Sequence, residues 1–139
     1  MEWHVKMPEI EVWKDHYKFV MISAILLYPE TLPNAIVKRR YYDFFINMGH
    51  IMPTASIGEK YAAALEMYPV QPYLDGKSDL FRWYTAIMNY VYEMNDTESD
   101  VLKMYAEKCK PKTDMKLYKT FIVKYTVVIG VLALSYYLS

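Results

Sequence analysis

A chain of 139 residues has room for one domain of ordinary size and a tail, and 54% apolar with 17% aromatic residues excludes a disordered chain, which lacks the apolar surface to fold. Net charge is zero but polarised: residues 1–100 hold 9 Lys+Arg against 14 Asp+Glu, and residues 101–139 hold 7 against 2, leaving −5 and +5. The acidic body excludes the basic, aromatic-studded face that a nucleic-acid partner needs, and the single cysteine, Cys109, excludes an intrachain disulfide and a thiolate metal cluster.

From the start of the chain, Met1 to Pro8 shows neither a long apolar stretch after positive charge nor an Arg-rich amphipathic pattern, so no cleavable address is expected. Ile10, Trp13, Tyr17, Val20, Met21, Ala24, Ile25 and Tyr28 recur at helical spacing, which predicts a first helix over 9–28 that stops at Pro29. Asn34 is placed to cap a second helix with the stripe Ile36, Val37, Tyr41, Phe44, Phe45 and Met48, closed by Gly49. Lys38, Arg39 and Arg40 interrupt that stripe as a solvated face. Pro53 and Thr54 start a third helix through Tyr61, Ala62, Leu65 and Met67, ending at Pro69.

A loop marked by Pro69, Pro72 and Gly76 follows. Ser78 is the expected cap of a fourth helix over 79–94, whose inward face is Leu80, Phe81, Trp83, Tyr84, Ile87, Met88 and Val91. Thr97 opens a fifth, with Glu98 and Asp100 in its first turn, where negative charge suits the helix dipole. No strand pattern competes. Fifteen Tyr and ten Met against four Gly point to a chain rich in packed or interfacial contacts.

Residues 125–138 are fourteen positions without a charge, and eighteen when Phe121, Ile122 and Val123 join and Lys124 reaches out to the headgroups. A transmembrane helix over 121–139 is therefore expected, entering as a tail anchor, with Tyr136 and Tyr137 at the far interface. Ahead of it Lys108, Lys110, Lys112, Lys116, Lys119 and Lys124 form a basic cluster suited to anionic headgroups. The expected organisation is a helical bundle over 1–108, a basic linker over 109–120 and the anchor over 121–139.

Catalytic signatures are absent: no phosphate-binding glycine loop, no Gly-x-Ser-x-Gly, no His-Glu-x-x-His. His4, His16 and His50 have no ligand spacing and read as structural or exposed. The pairs Glu9 with Glu11 and Glu98 with Asp100 read as solvated faces or helix starts.

Several segments, in order, nevertheless resemble one family, the flavin-dependent sulfhydryl oxidases of the Erv/ALR type. These are Glu11-Val12-Trp13 followed by Tyr28-Pro29-Glu30, Phe44 to Gly49 with Met52-Pro53, Glu59-x-Tyr61, and Asp79 to Trp83 running on to Asn89-x-Val91. The likeness spans about Ile10 to Leu102. It implies a small four- to five-helix bundle, here all-α with one C-terminal transmembrane helix.

The same resemblance implies lost chemistry. The family's Cys-x-x-Cys falls on Thr54 and Ile57, and neither supplies the thiolate that dithiol oxidation requires. Its following histidine falls on Lys60. The flavin contacts of its first helix fall on Lys18 and Ile22, and its His-Asn-x-x-Asn reads Met88-Asn89-Tyr90-Val91-Tyr92, so that only Asn89 survives. No flavin and no other cofactor is expected. Bulky Tyr90, Tyr92, Met88 and Ile22 are expected to fill the vacated space.

The resulting expectation is a non-catalytic structural subunit, bound to a lipid membrane and to other proteins of a large assembly. The related oxidases of large DNA viruses point to a minor capsid protein joining the shell to the internal membrane of the virion. The mitochondrial members point instead to an accessory subunit of an inner-membrane complex. A divergent thiol oxidoreductase using Cys109 in trans, and a peripheral adaptor held by charge alone, are the other readings. The family also implies a homodimer built on the first two helices.

Overall fold

The computed structural model describes residues 6–111 together with Val123 and Thr126. The chain divides into two units, Met1–Lys108 and Cys109–Ser139, and the described part of the first carries the fold. Five helices appear in order: α1 Ile10–Leu26, α2 Ala35–Asn47, α3 Ala55–Met67, α4 Lys77–Tyr92 and α5 Glu98–Cys109. Short 3-10 turns cover Met48–Ile51 and Gln71–Tyr73, and among the described residues there is no strand. The architecture is all-α.

The core is organised around α4. Its buried positions Leu80, Trp83, Tyr84, Ile87, Met88 and Val91 recur every three or four residues, which puts them on one wide face turned towards α1 and α3. Met21, Ile22 and Ile25 of α1, Phe45 of α2, and Tyr61 and Ala64 of α3 meet that face. Each large aliphatic fully withdrawn from water there stabilises the fold by about 1.5–3 kcal/mol. Phe45 and Trp83 meet edge to face at 5.0 Å between ring centroids. The Trp83 indole N–H donates to the Tyr68 carbonyl at 2.7 Å and so closes the end of α3.

Much of the tyrosine excess is internal rather than interfacial. Five hydroxyls donate to backbone carbonyls of other elements: Tyr17 to Ile51 at 2.6 Å, Tyr28 to Leu74 at 2.7 Å, Tyr41 to Ala24 at 2.9 Å, Tyr61 to Phe45 at 2.8 Å and Tyr84 to Lys18 at 3.5 Å. Each ring contributes apolar area while its hydroxyl satisfies a carbonyl, several of them in helix end turns. The bundle is stitched from within by phenols.

Helix starts follow local chemistry. Asn34 accepts the Val37 N–H at 2.9 Å, the cap its sequence predicts. At α5, Thr97 and Asp100 cap reciprocally, the Asp100 carboxylate accepting the Thr97 N–H at 3.0 Å and the Thr97 hydroxyl oxygen accepting the Asp100 N–H at 3.2 Å. Helix α4, by contrast, starts from Gly76 and not from Ser78, which lies inside the first turn. Gly76 is held so close to Glu30 that a Cβ there would meet the Glu30 carbonyl oxygen at 2.6 Å, and this contact sets the entry angle. Gly49 likewise does not terminate α2 in a left-handed conformation. It sits in the 3-10 turn against Gly58, where a Cβ on Gly58 would come within 2.5 Å of the Gly49 carbonyl.

Four positions expected inside are outside. Ile36 is 66% exposed, Val20 and Met67 51% each, and Ala62 is exposed, because the stripes of α1, α2 and α3 are wider than the faces they bury. Among the described residues no helix is long and apolar enough to cross a membrane. The span expected over 121–139 and its flank 112–120 lie outside the described residues, apart from Val123 and Thr126.

Candidate functional site

The positions at which the family resemblance places a redox and flavin centre fall in two groups. Thr54, Ile57 and Lys60 lie at the start of α3. Lys18 and Ile22 on α1 face Met88 and Tyr92 on α4, helices that pack directly against each other.

At α3, Thr54 is the N-cap residue, although its hydroxyl makes no capping bond, and Ile57 is partly buried against the core. Lys60 pairs with Glu93, the residue that ends α4. That ammonium group holds the Glu93 carboxyl below the usual carboxylate range, by hydrogen bonding first and by charge second. The Lys60 position is thus used to tie α3 to the end of α4. Beside it a cleft of about 400 Å³ runs between the 3-10 turn and α3, lined among others by His50, Met52, Glu59 and Tyr61. Of the histidines within the described residues, both His16 and His50 are exposed. Among the described residues no group of three or more His, Cys, Asp or Glu is arranged to hold a metal ion.

Between α1 and α4, Ile22 is fully buried and Met88 is 3% exposed, so both belong to the core. Tyr92 is half-buried. Tyr90, expected to fill the same space, instead points outward and is 43% exposed. It stands one residue off the inward face of α4 and turns with the helix to the opposite side.

Lys18 is the feature that sequence reasoning did not anticipate. It is 2% exposed, and its Nζ approaches the Met94 Sδ at 3.7 Å, a weak acceptor. The Tyr92 ring centroid lies 5.9 Å from it, and Lys14 approaches the same ring at 5.8 Å. Burial pushes the Lys18 pKa down, while Asp96 and Asp15 act against that shift from further away. The Tyr92 hydroxyl is buried without a hydrogen-bond partner among the described residues, and burial pushes its pKa up to about 12. Tyr61 and Tyr84 are raised for the same reason.

Asn89, the one position at which the resemblance finds the same residue, has a structural use here. Its side-chain amide donates to the Asp96 carbonyl at 2.9 Å and accepts the Asp96 N–H at 3.0 Å, pinning the connection from α4 to α5. The chain needs that pin because Glu93 turns into the left-handed region, φ 54°. Helix α5 then lies along α1: Tyr105 stacks on Phe19 at 4.8 Å and its hydroxyl shares a hydrogen bond with Ser23 at 3.0 Å.

Of the basic cluster, Lys108 pairs with Asp15 at 2.8 Å and pulls that carboxyl below its usual range. Lys110 is exposed, as is Cys109, whereas Lys112, Lys116, Lys119 and Lys124 lie outside the described residues. Comparison of the chain with family models, with curated proteins and with solved structures finds no match.

Proposed function

We propose that this chain is a non-catalytic, membrane-anchored structural subunit of a large assembly, a degenerate relative of the sulfhydryl oxidases of the Erv/ALR type. The form we favour is a minor capsid protein that joins the shell of a large DNA virus to its internal membrane. One observation carries the reading: where the resemblance places the redox pair, the following histidine and two of the four flavin contacts, the side chains serve the fold. Thr54 precedes α3, Ile57 packs, Lys60 pairs with Glu93, and Ile22 and Met88 fill the core. None of them supplies a thiolate or a general base for dithiol oxidation. Exposed Val12, Val20, Leu27, Leu32, Ile36 and Ile51 support a role in contacts with neighbours. The apolar run 125–138 behind its lysines supports the anchor.

The test uses full-length chain purified in detergent. A colourless sample that oxidises no dithiol, and that stays with membranes through a high-salt wash until detergent is added, is the expected result. A flavin absorbance band with dithiol oxidase activity overturns the non-catalytic reading. Release by salt alone overturns the anchor.

A further inference from the structure

An apolar groove opens between α1 and the 3-10 turn that follows α2. It encloses about 280 Å³ and is lined by His16, Tyr17 and Val20 of α1, Phe44 of α2, and Met48 and Ile51 of the turn. Apart from His16 its walls are apolar or aromatic, and the Tyr17 hydroxyl, donating to the Ile51 carbonyl at 2.6 Å, ties the two sides together. Val20 is 51% exposed and Ile51 62%, so the rim meets water. Val12, 61% exposed and eight residues before Val20 on the same strip of α1, carries the apolar track towards the start of the helix. A groove walled by methionine and aromatic side chains gains by being covered. It is smaller than the clefts of about 300–1,000 Å³ that enclose small-molecule ligands, and suits one large side chain.

The sequence leading into α1 has the matching character. Met1, Trp3, Val5 and Met7 alternate with Glu2, His4 and Lys6, a strict period of two that gives an extended arm one apolar and one polar face. Among the described residues there is no strand for such an arm to join. Residues 1–5 lie outside the described residues, and Met7, at the root of the arm, is 69% exposed. Glu9 has extended backbone, φ −68° and ψ 155°, so the chain departs from the helical path there. Length permits a return along α1. From Glu9 to the middle of the groove, between His16 and Val20, the helix rises about 14 Å. The stretch from Trp3 to Glu9 extends to about 20 Å, which leaves about 6 Å for a reversal at Pro8.

We propose that residues 1–7 fold back along α1 and cover this groove, with the Trp3 indole seated among Tyr17, Val20, Phe44 and Met48, and Val5 lying over the strip from His16 to Val12. Ring contacts with Tyr17 and Phe44 add to the burial of the indole. Glu2, His4 and Lys6 then face water. The occupant is a segment of the same chain and not a neighbour. The proposal goes beyond the structural-subunit reading and stands or falls separately from it, since exposed Leu27, Leu32 and Ile36, on which that reading draws, are untouched.

The test uses full-length chain in phospholipid nanodiscs, so that no detergent competes for the groove, in a Cys109→Ser background. His4→Cys combined with Asn47→Cys, an exposed position next to Met48, is expected to close an intramolecular 4–47 disulfide under mild oxidation, identified by peptide mass. It should form at least about tenfold faster than the 4–66 disulfide of His4→Cys with Glu66→Cys, exposed near the far end of α3. Trp3→Ala removes the seated ring and Val20→Glu puts a charge in the groove. Each is expected to slow 4–47 closure about tenfold while helical circular dichroism holds. Trp3 precedes every described helix, so its variant keeps the test decisive should Val20→Glu fail to fold. A 4–47 disulfide that forms no faster than 4–66 overturns the proposal. So does a 4–47 rate that Trp3→Ala leaves within about threefold of its parent.

Discussion

Replacing Lys18 by methionine is expected to stabilise the bundle. The amine is 2% exposed, and its nearest partners are a thioether at 3.7 Å and an aromatic face at 5.9 Å. Neither repays the loss of hydration, and exchanging buried charge for well-packed apolar atoms of similar volume is commonly neutral or stabilising by about 1–4 kcal/mol. The cation–π contact with Tyr92 returns about 0.5–1 kcal/mol of that. Methionine is unbranched, like lysine, and its thioether can follow the same path towards Met94. A net gain of up to about 3 kcal/mol remains, each kcal/mol equivalent to a rise in Tm of about 4–8 °C for a domain of this size. The pH dependence separates this cause from better packing. Burial lowers the Lys18 pKa in the folded state below 10.5, so the unfolded state binds more protons between those two values. The cost is therefore fully present below the folded pKa, shrinks as pH rises through that window, and is gone above 10.5. Thermal unfolding of wild type and Lys18→Met, followed by far-ultraviolet circular dichroism at neutral pH and near pH 10, should show the gap between them closing. A variant less stable than wild type at neutral pH would refute the reasoning and mean that the amine has a partner stronger than Met94.

Tyr92→Phe removes a buried hydroxyl without a partner and is expected to be neutral or stabilising by up to about 1 kcal/mol, whereas Tyr61→Phe, which loses a buried hydrogen bond to the Phe45 carbonyl, should cost about 1 kcal/mol. Equal losses in denaturant titrations of both variants would contradict this. Because Tyr92 titrates near 12 in the folded state and near 10 when unfolded, wild-type stability should fall as pH rises from 10 to 12, and Tyr92→Phe should flatten that slope. Gly58→Ala drives a methyl to 2.5 Å from the Gly49 carbonyl and should cost about 1–3 kcal/mol; an unchanged Tm would show that the 3-10 turn yields easily. Asn89→Ala loses both bonds to Asp96 and should cost about 1–3 kcal/mol, with faster amide exchange in α5 and little change along α4. Uniform acceleration across both helices would count against a local pin.

Local chemistry was legible in the sequence wherever one residue type has one good use. Asn34 and the Thr97–Asp100 pair cap helices as their types predict, and the α4 stripe from Leu80 to Val91 faces inward at its own period. What was not legible depends on distant backbone. Ser78 gives way to Gly76 as the start of α4 because Glu30, some forty-six positions earlier, presses on that point. Leu32 looks ordinary in a loop between two prolines, and only the folded chain, where its φ is 46° and it is 87% exposed, shows it to be strained and outward-facing. At the candidate site, order and spacing drew attention to Thr54, Ile57, Lys60 and Lys18 only through the resemblance. Their present uses could not be read there, since an ion pair with Glu93 or burial under Tyr92 is a property of packing.

The way α5 is fastened has a mechanical side. It runs antiparallel to α1, held near its C-terminal end by Lys108 on Asp15, further in by Tyr105 on Phe19 and Ser23, and at its root by Asn89 on Asp96. Tension drawn through Cys109 meets these fastenings one after another, as in peeling tape, instead of all together, as in shearing a lap joint. The surface ion pair yields first, since an exposed pair contributes only about 0–1 kcal/mol. The Asn89 pin is loaded last. A load on the tail is thus met in steps along α1, and only when the peel reaches Val101, which α5 buries in the core, does it open the interior.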